Sequence, residues 1–216
     1  MNMKNISTGD FSKDYSLKSL FKRDLLEDPL EQFQVWFEDA VAYGIEEANV
    51  MTLATSSKEG RPSSRTVLLK SVNKESLVFY SNYESRKGRD LAENPYASLT
   101  FWWKEMERQV CMDGSVEKSS REESEEYFYK RPLASQIAAV VSRQSSIIES
   151  GEELKKTYKK FEKEHSKGGV VLPDYWGGYC FFPYRIEFWQ GRPSRLHDRI
   201  SYFLEAEKWK AVRLSP

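Results

Sequence analysis

The chain has 216 residues, 39% of them hydrophobic and 14% aromatic, which is enough for one sizeable core. Lys+Arg 33 balance Asp+Glu 33, and this neutrality excludes the general nucleic-acid binders, whose footprint is a basic excess. Cys111 and Cys180 stand far apart, and with His165 and His197 they give no metal-ligand spacing, so no metal is expected.

Residues 1 to 20 are polar and read as a mobile N-terminal arm, leaving 21–216 as a single domain. The first helix opens at "EDPLEQFQVWFEDAVAYG". Asp28 is its cap, Pro29 its first residue and Glu31 lies three past the cap. Leu30, Phe33, Phe37, Ala40 and Val41 form the predicted inward stripe, and Gly44 the stop. Strands follow at "VMTLATS", "SRTVLLKSV" and "SLVFYSN", then a short helix at "SRKGRDLAEN". "YASLTFWW" and "RQVCMDGSVEK" read as a hairpin across "KEME". Helices are predicted around "SREESEEYFYKRP", "LASQIAAVVS" and "GEELKKTYKKFEKE", with strands at "GGYCFFPYRIEFW", "SRLHDRISYF" and "EKWKAVRL". About seven strands joined by short turns predict an α+β fold: a mostly antiparallel barrel with helices packed outside.

Glycine-rich phosphate loops and the G-x-S-x-G elbow are absent, so a bound phosphate would rest on Arg and Lys side chains and helix ends. In "SRTVLLK", Arg65 and Lys70 are five apart and face opposite sides of a regular strand, which suits two anions better than one. "ESRKGRD" places Ser85, Arg86 and Lys87 at a helix start, where free N–H groups favour an anion; read alone, it also fits a solvated basic turn. In "YFYKRPLASQ", Tyr127 and Arg131 share a helix face and Ser135 lies just beyond Pro132, a set of donors suited to phosphate oxygens or to an ordinary helix end. "SRQSS" puts Gln144 and Ser145 in a polar turn. In "EFWQGRPSRLHDRISYF", strand alternation predicts Arg195, His197 and Arg199 in one row, opposite Leu196, Asp198 and Ile200. Like charges in a row repel, so the row predicts an anion or an electron-poor ring beside it, with the Trp189 indole near.

These segments, in this order, resemble the pyridoxine/pyridoxamine 5′-phosphate oxidase family from about Asp24 to Pro216; "RDLLEDPL", "RTVLLK", "FYSN" with "SRKG", "ERQV", "YFYKRP" with "SQI", "SRQSS", "WGGY" and "EFWQGRPSRLHDR" carry the resemblance. It implies an FMN-binding split β-barrel with flanking helices, acting as a homodimer with FMN at the subunit interface. The implied FMN set is Arg65, Thr66, Val67, Leu68, Leu69, Lys70, Tyr80, Ser81, Arg86, Lys87, Gln109, Gln144, Ser145, Trp189 and Arg199. Lys70, Tyr127, Arg131 and Ser135 are implied to clamp the substrate phosphate, and Arg195, Leu196 and His197 to lie over its pyridine ring, with Arg195 and His197 catalytic. The implied reaction oxidises pyridoxine or pyridoxamine 5′-phosphate with O2 to pyridoxal 5′-phosphate and hydrogen peroxide, the last step of vitamin B6 synthesis and salvage. The rivals are a related flavin oxidase acting on another ring and a non-enzymatic flavin- or haem-binding split barrel. In the family's N-terminal arm a basic residue precedes a tyrosine; here, in "FSKDYS", Tyr15 matches the tyrosine and Ser12 takes the basic position, with Lys13 beside it. No apolar run approaches the ~20 residues of a membrane span and the start lacks a signal peptide's apolar stretch, so a cytoplasmic protein without membrane or nucleic-acid partners is expected.

Overall fold

A computed structural model of the protein describes residues 15–166 and 168–216. Asp28 caps helix α1 (Pro29–Ala42) by accepting the Leu30 N–H at 2.7 Å, and Pro29 opens it without a donor to satisfy. The buried stripe is Leu30, Phe33, Trp36 and Ala40, with Phe37 half-buried. Val41 was predicted inside but is 56% exposed. Trp36 takes the place instead, packing edge-on to Phe188 with the Arg108 guanidinium over its ring.

The strands are β1 (Val50–Ser56), β2 (Pro62–Leu68), β3 (Ser71–Val72), β4 (Leu77–Asn82), β5 (Tyr96–Trp103), β6 (Arg108–Lys118), β7 (Trp176–Gln190), β8 (Asp198–Glu205) and β9 (Lys208–Leu214). The helices after α1 are α2 (Arg86–Glu93), α3 (Arg121–Lys130), α4 (Leu133–Val141) and α5 (Gly151–Glu164). All nine strands join one sheet in the order β2-β1-β5-β6-β7-β4-β3, with β8 on β7 and β9 on β8, and all pair antiparallel. The sheet curls into a half-barrel with helices outside, the architecture that the strand pattern and the resemblance predict.

The curl has a local cause. The N-terminal half of β7 pairs with β4 and its C-terminal half with β8, and the change of partner falls at Pro183 and Tyr184. Proline cannot donate to a ladder, so it belongs where pairing lapses. Against β6 the register shifts here too: Gly114 pairs with Pro183 and Asp113 with Arg185, which leaves Tyr184 as the extra residue of a bulge that bends β7. Inside the curl, Phe33, Phe79, Phe101, Trp103, Phe181 and Phe188 form the main core. A second cluster of Phe128, Ile137, Val170, Leu172 and Trp176 seats α3 and α4.

Two predicted strands are not continuous. "SRTVLLKSV" breaks at Leu69 and Lys70: Leu69 is buried and its N–H goes to the Asn49 carbonyl, while the Lys70 N–H goes to Val78. "SRLHDRISYF" begins as a strand only at Asp198. Pro193–Arg195 is a single tight turn, with Ser194 (φ 56°) and Arg195 (φ 60°) in the left-handed region.

Of the N-terminal arm, residues 15–20 are described and lie against the domain. Glu107 Oε2 accepts the N–H groups of Ser16 (2.9 Å) and Leu17 (3.1 Å), and Asp198 Oδ2 accepts that of Leu20 (3.0 Å).

Candidate functional site

The break after Leu68 shapes the first half of the site. Because the chain turns there, Arg65 and Lys70 line one cavity of about 980 Å³ instead of facing opposite sides of a strand. Thr66, Val67, Leu68, Tyr80, Ser81, Arg86, Lys87, Tyr127, Arg131, Ser135, Gln144 and Ser145 line it too. Fourteen of the predicted site residues are thereby brought together. Leu69, the one member of that run left out, turns into the core.

One end of the cavity is cationic. Ser85 caps α2, so the helix's free N–H groups and the side chains of Arg86 and Lys87 meet at the same place. Lys87 is buried, with its Nζ donating to Ser81 Oγ (3.0 Å), Ser85 Oγ (3.2 Å) and Gln144 Oε1 (2.9 Å). Burial, then the nearby Arg65 charge, lowers its pKa from the usual 10.5 to about 8. An unfolded chain therefore binds more protons at this site between those two values, and the ligand-free protein should gain stability from Lys87 as pH rises through that window. Urea midpoints of the wild type and Lys87→Met between pH 7 and 10.5 check this: the wild type should gain stability relative to the variant as pH rises, whichever of the two is the more stable at pH 7. A constant difference would contradict a depressed pKa.

The other end is aromatic and holds a second cation. Tyr80 stacks on Tyr127 at 3.8 Å, and Trp176 lies parallel to Tyr127 at 6.3 Å. Burial pushes the Tyr80 hydroxyl up to about 12, so it stays neutral. Arg131 follows the last residue of α3 in an extended conformation (ψ 150°), as a residue before proline prefers, so it does not share a helix face with Tyr127 as predicted; its guanidinium sits 4.7 Å from the Trp176 ring. Its Nη1 is buried without a hydrogen-bond partner. Such an orphan donor is rare in folded proteins and marks a place where a ligand atom fits.

The remaining predicted residues do not line this cavity. Trp102, Gln109, Trp189 and Arg199 are register neighbours across β5, β6, β7 and β8. Trp102 meets Trp189 edge-on at 5.9 Å, Trp189 lies 4.7 Å from the His197 ring, and Tyr15 packs on both at 5.7 and 5.8 Å. Gly191 permits this, since a Cβ there would come within 2.6 Å of the Tyr15 ring. Ser12 and Lys13 lie outside the described residues.

The cationic row does not form as alternation predicted. Pro193 has no N–H for the ladder, so the chain turns, and Arg195, Leu196 and His197 precede the strand. Leu196 is 70% exposed. His197 Nδ1 accepts the Arg192 N–H at 3.1 Å, which leaves Nε2 as the protonated nitrogen of the neutral ring. Arg199 finds an anion within its own chain: Glu187 receives its Nε at 2.7 Å and its Nη2 at 3.1 Å, and also Arg185 Nη2 at 2.7 Å. The side-chain hydrogen bond to Glu187 is the main cause raising the Arg199 pKa.

Sequence reasoning assigned no role to Trp176, Glu187 or Asn82, though Trp176 and Asn82 line the cavity. The signal for Glu187 was present: a carboxylate two residues before Trp189 on the same strand face. Trp176 stands in "WGGY", where Gly177 admits the Tyr83 hydroxyl to within 2.1 Å of its would-be Cβ. Among the described residues, no group of three His, Cys, Asp or Glu side chains could hold a metal, and no helix is long and apolar enough to cross a membrane.

Comparisons with known proteins give the family and the fold. The family profile "Pyridoxamine 5'-phosphate oxidase" matches residues 37–164, and "Pyridoxine 5'-phosphate oxidase C-terminal dimerisation region" matches residues 176–216. A pyridoxine/pyridoxamine 5'-phosphate oxidase of Cyanothece sp. is 47% identical over 211 residues, 98% of this chain and 99% of its own. Those of Trichormus variabilis and Leptospira interrogans are 49% identical over 208 residues, 96% of this chain and 97% of theirs. Among solved structures, PhzG from Burkholderia lata, in complex with tetrahydrophenazine-1-carboxylic acid, superposes with a TM-score of 0.86 at 28% identity, covering 93% of this chain and 100% of that one. A pyridoxamine 5'-phosphate oxidase-related, FMN-binding protein from Nostoc punctiforme shares the fold, with a TM-score of 0.70 at 14% identity over 89% of this chain and 100% of that one. With a profile matched over more than half its length and relatives this similar from end to end, the chain belongs to the pyridoxamine 5′-phosphate oxidase family of oxidoreductases.

Proposed function

We propose that this protein is a cytoplasmic, homodimeric, FMN-dependent oxidase that converts pyridoxine or pyridoxamine 5′-phosphate to pyridoxal 5′-phosphate, completing vitamin B6 synthesis and salvage. The observation that carries the reading is the buried, unpartnered Nη1 of Arg131 in a cavity that also holds a separate cationic end. One cavity with two anion sites suits two phosphates, one on a cofactor and one on a substrate.

The residues fit FMN. Arg65, Arg86 and Lys87, with the α2 N-terminus, would hold its phosphate, while Ser81, Gln144 and Ser145 supply polar contacts beside them. When bound, FMN supplies a two-electron acceptor that takes a hydride equivalent from the 4′ carbon and passes the electrons to O2, giving hydrogen peroxide. The chain's own residues bind and orient. Lys70, Tyr127, Arg131 and Ser135 fix the substrate phosphate at the other end, which sets the ring's position. Arg195 and the Nε2–H of His197 would donate to the ring and its substituents. They stand with Gln109, Trp189 and Arg199 outside the cavity of their own chain. The reading therefore has a second copy bring that cluster over the cavity, and residues 176–216, which match the dimerisation region, contain Trp189 to Arg199.

A second reading has one specific support, the similarity to PhzG, whose structure holds a carboxylated ring without phosphate. Spectroscopy separates the two. The purified protein should be yellow and should prefer FMN to riboflavin. Its flavin band should bleach on anaerobic addition of pyridoxine 5′-phosphate and return with air. A flavin band untouched by the phosphorylated substrate would favour the other-ring oxidase.

A further inference from the structure

Asp90, which ends the stretch "ESRKGRD", Thr55 and Ser63 were assigned no role from the sequence, yet Ser63 lines the cavity and the other two stand behind it at its cationic end. Thr55 on β1 and Ser63 on β2 are register partners, and Asp90 lies on α2, one turn after Arg86 and Lys87. A hydroxyl has one proton to give and lone pairs to accept with. Thr55 Oγ1 donates to Asp90 Oδ2 at 2.6 Å, and Ser63 Oγ donates to the same oxygen at 2.8 Å. The two hydroxyl oxygens are 3.2 Å apart and could bond each other, but an ionised carboxylate is the stronger acceptor and lies closer to both. With their protons committed, both hydroxyls can only accept on their other side, and Arg65 is there. Its Nη1 donates to Thr55 Oγ1 at 2.7 Å and to the Leu53 carbonyl at 3.2 Å, and its Nη2 donates to Ser63 Oγ at 2.5 Å. Three of the five guanidinium N–H groups are thus tied to the scaffold, and Nε–H and one Nη2–H are left for the cavity that Arg65 lines. Asp90 Oδ2 is 3.8 Å from Arg65 Nη2, so it acts through the hydroxyls more than directly.

We propose that Asp90 is a positioning residue for the phosphate end of the cavity: by taking the hydroxyl protons of Thr55 and Ser63, it makes both oxygens acceptors that hold Arg65 in place for the FMN phosphate. The carboxylate is ionised as this requires. Burial raises its pKa, but the two hydroxyl donors, Arg65 and Arg86 outweigh that and hold it below the usual range. The proposal rests on the FMN reading above.

The test is titration of the apoprotein with FMN and with riboflavin, followed by flavin fluorescence, alongside the melting temperature of each apoprotein. Riboflavin lacks the phosphate, so a loss confined to FMN reports on Arg65 and not on the fold. Asp90→Ala should weaken FMN about tenfold, the order expected for one charge-assisted hydrogen bond, and leave riboflavin unchanged. Asp90→Asn can place its amide oxygen where Oδ2 was and should recover most of that loss. Thr55→Val keeps the charge and the shape, removes one of the two hydroxyls, should reproduce part of the loss, and carries the test if Asp90→Ala does not fold. Combined with Asp90→Ala, it should add little, because the Thr55 contact is one of the two that Asp90 already directs. FMN binding as tight as or tighter than wild type in Asp90→Ala would overturn the proposal, since the carboxylate would then only subtract positive charge. Fully additive losses would overturn it as well. Equal wild-type affinity for the two flavins, seen before any substitution, would overturn the phosphate reading and this proposal with it.

Discussion

Unphosphorylated pyridoxine should be a very poor substrate, with kcat/KM lower than that of pyridoxine 5′-phosphate by on the order of a thousandfold, or about 4 kcal/mol. The proposed clamp offers two cations and two hydroxyls, Lys70, Arg131, Tyr127 and Ser135, all of which line the cavity. Their contributions are unequal. Lys70 is exposed and water competes for it, whereas Arg131 has a buried nitrogen with no partner and its pKa is lowered by that burial. Desolvation of that donor is incurred in folding, so a phosphate oxygen placed there meets a preorganised charge. A charge-assisted bond contributes roughly 1.5–3 kcal/mol, and losing the phosphate removes several at once, with less than additive effect. Arg131→Ala should bring the two substrates closer together by slowing the phosphorylated one far more. Arg131→Lys should restore little, because a lysine can neither stack flat on Trp176 nor present two parallel donors. Steady-state kinetics with both substrates on the three proteins decides the matter. Similar kcat/KM for the two substrates in the wild type would remove the clamp.

Gly114→Ala should destabilise the protein by at least about 3 kcal/mol, at the upper end of overpacking costs. A Cβ at this position would sit 2.4 Å from the Phe182 carbonyl oxygen and 2.7 Å from the Phe181 ring. The first neighbour is backbone in a paired strand and cannot rotate away. Gly114 pairs with Pro183 beside the Tyr184 bulge, so relief would require moving β6 and β7 apart where the sheet bends. For a chain of this length the shift is a fall in Tm of at least about 6 °C. Gly151→Ala is the control, because nothing lies within 4 Å of its would-be Cβ at the start of α5. It should be neutral or slightly stabilising through the unfolded chain. Thermal melts of the three apoproteins test the pair, and a Gly114→Ala protein that melts with the wild type would contradict the account of the bend.

Much of this protein is local and was readable as sequence. The α1 cap at Asp28, the Ser85 start of α2, the hairpin between β5 and β6 and the Pro132 stop after α3 each depend on a few neighbouring residues, and each stands where the sequence places it. The cavity residues were named too, through motifs whose order along the chain is specific to the family. What depended on partners distant in sequence was decided only by the tertiary structure. Alternation put Arg65 and Lys70 on opposite faces, but the Leu69 side chain found the core and the strand broke there, so both line one cavity. Alternation also lined up Arg195, His197 and Arg199, but Pro193 cannot join the ladder beside β7, and Glu187, across that ladder from the strand bearing Arg199, takes the arginine's charge. Asp90, Thr55 and Ser63 come from three elements and meet only when α2 packs on β1 and β2. Period and capping are properties of a segment, while a strand's end, a cation's counter-ion and a hydroxyl's direction belong to whatever the fold packs against it.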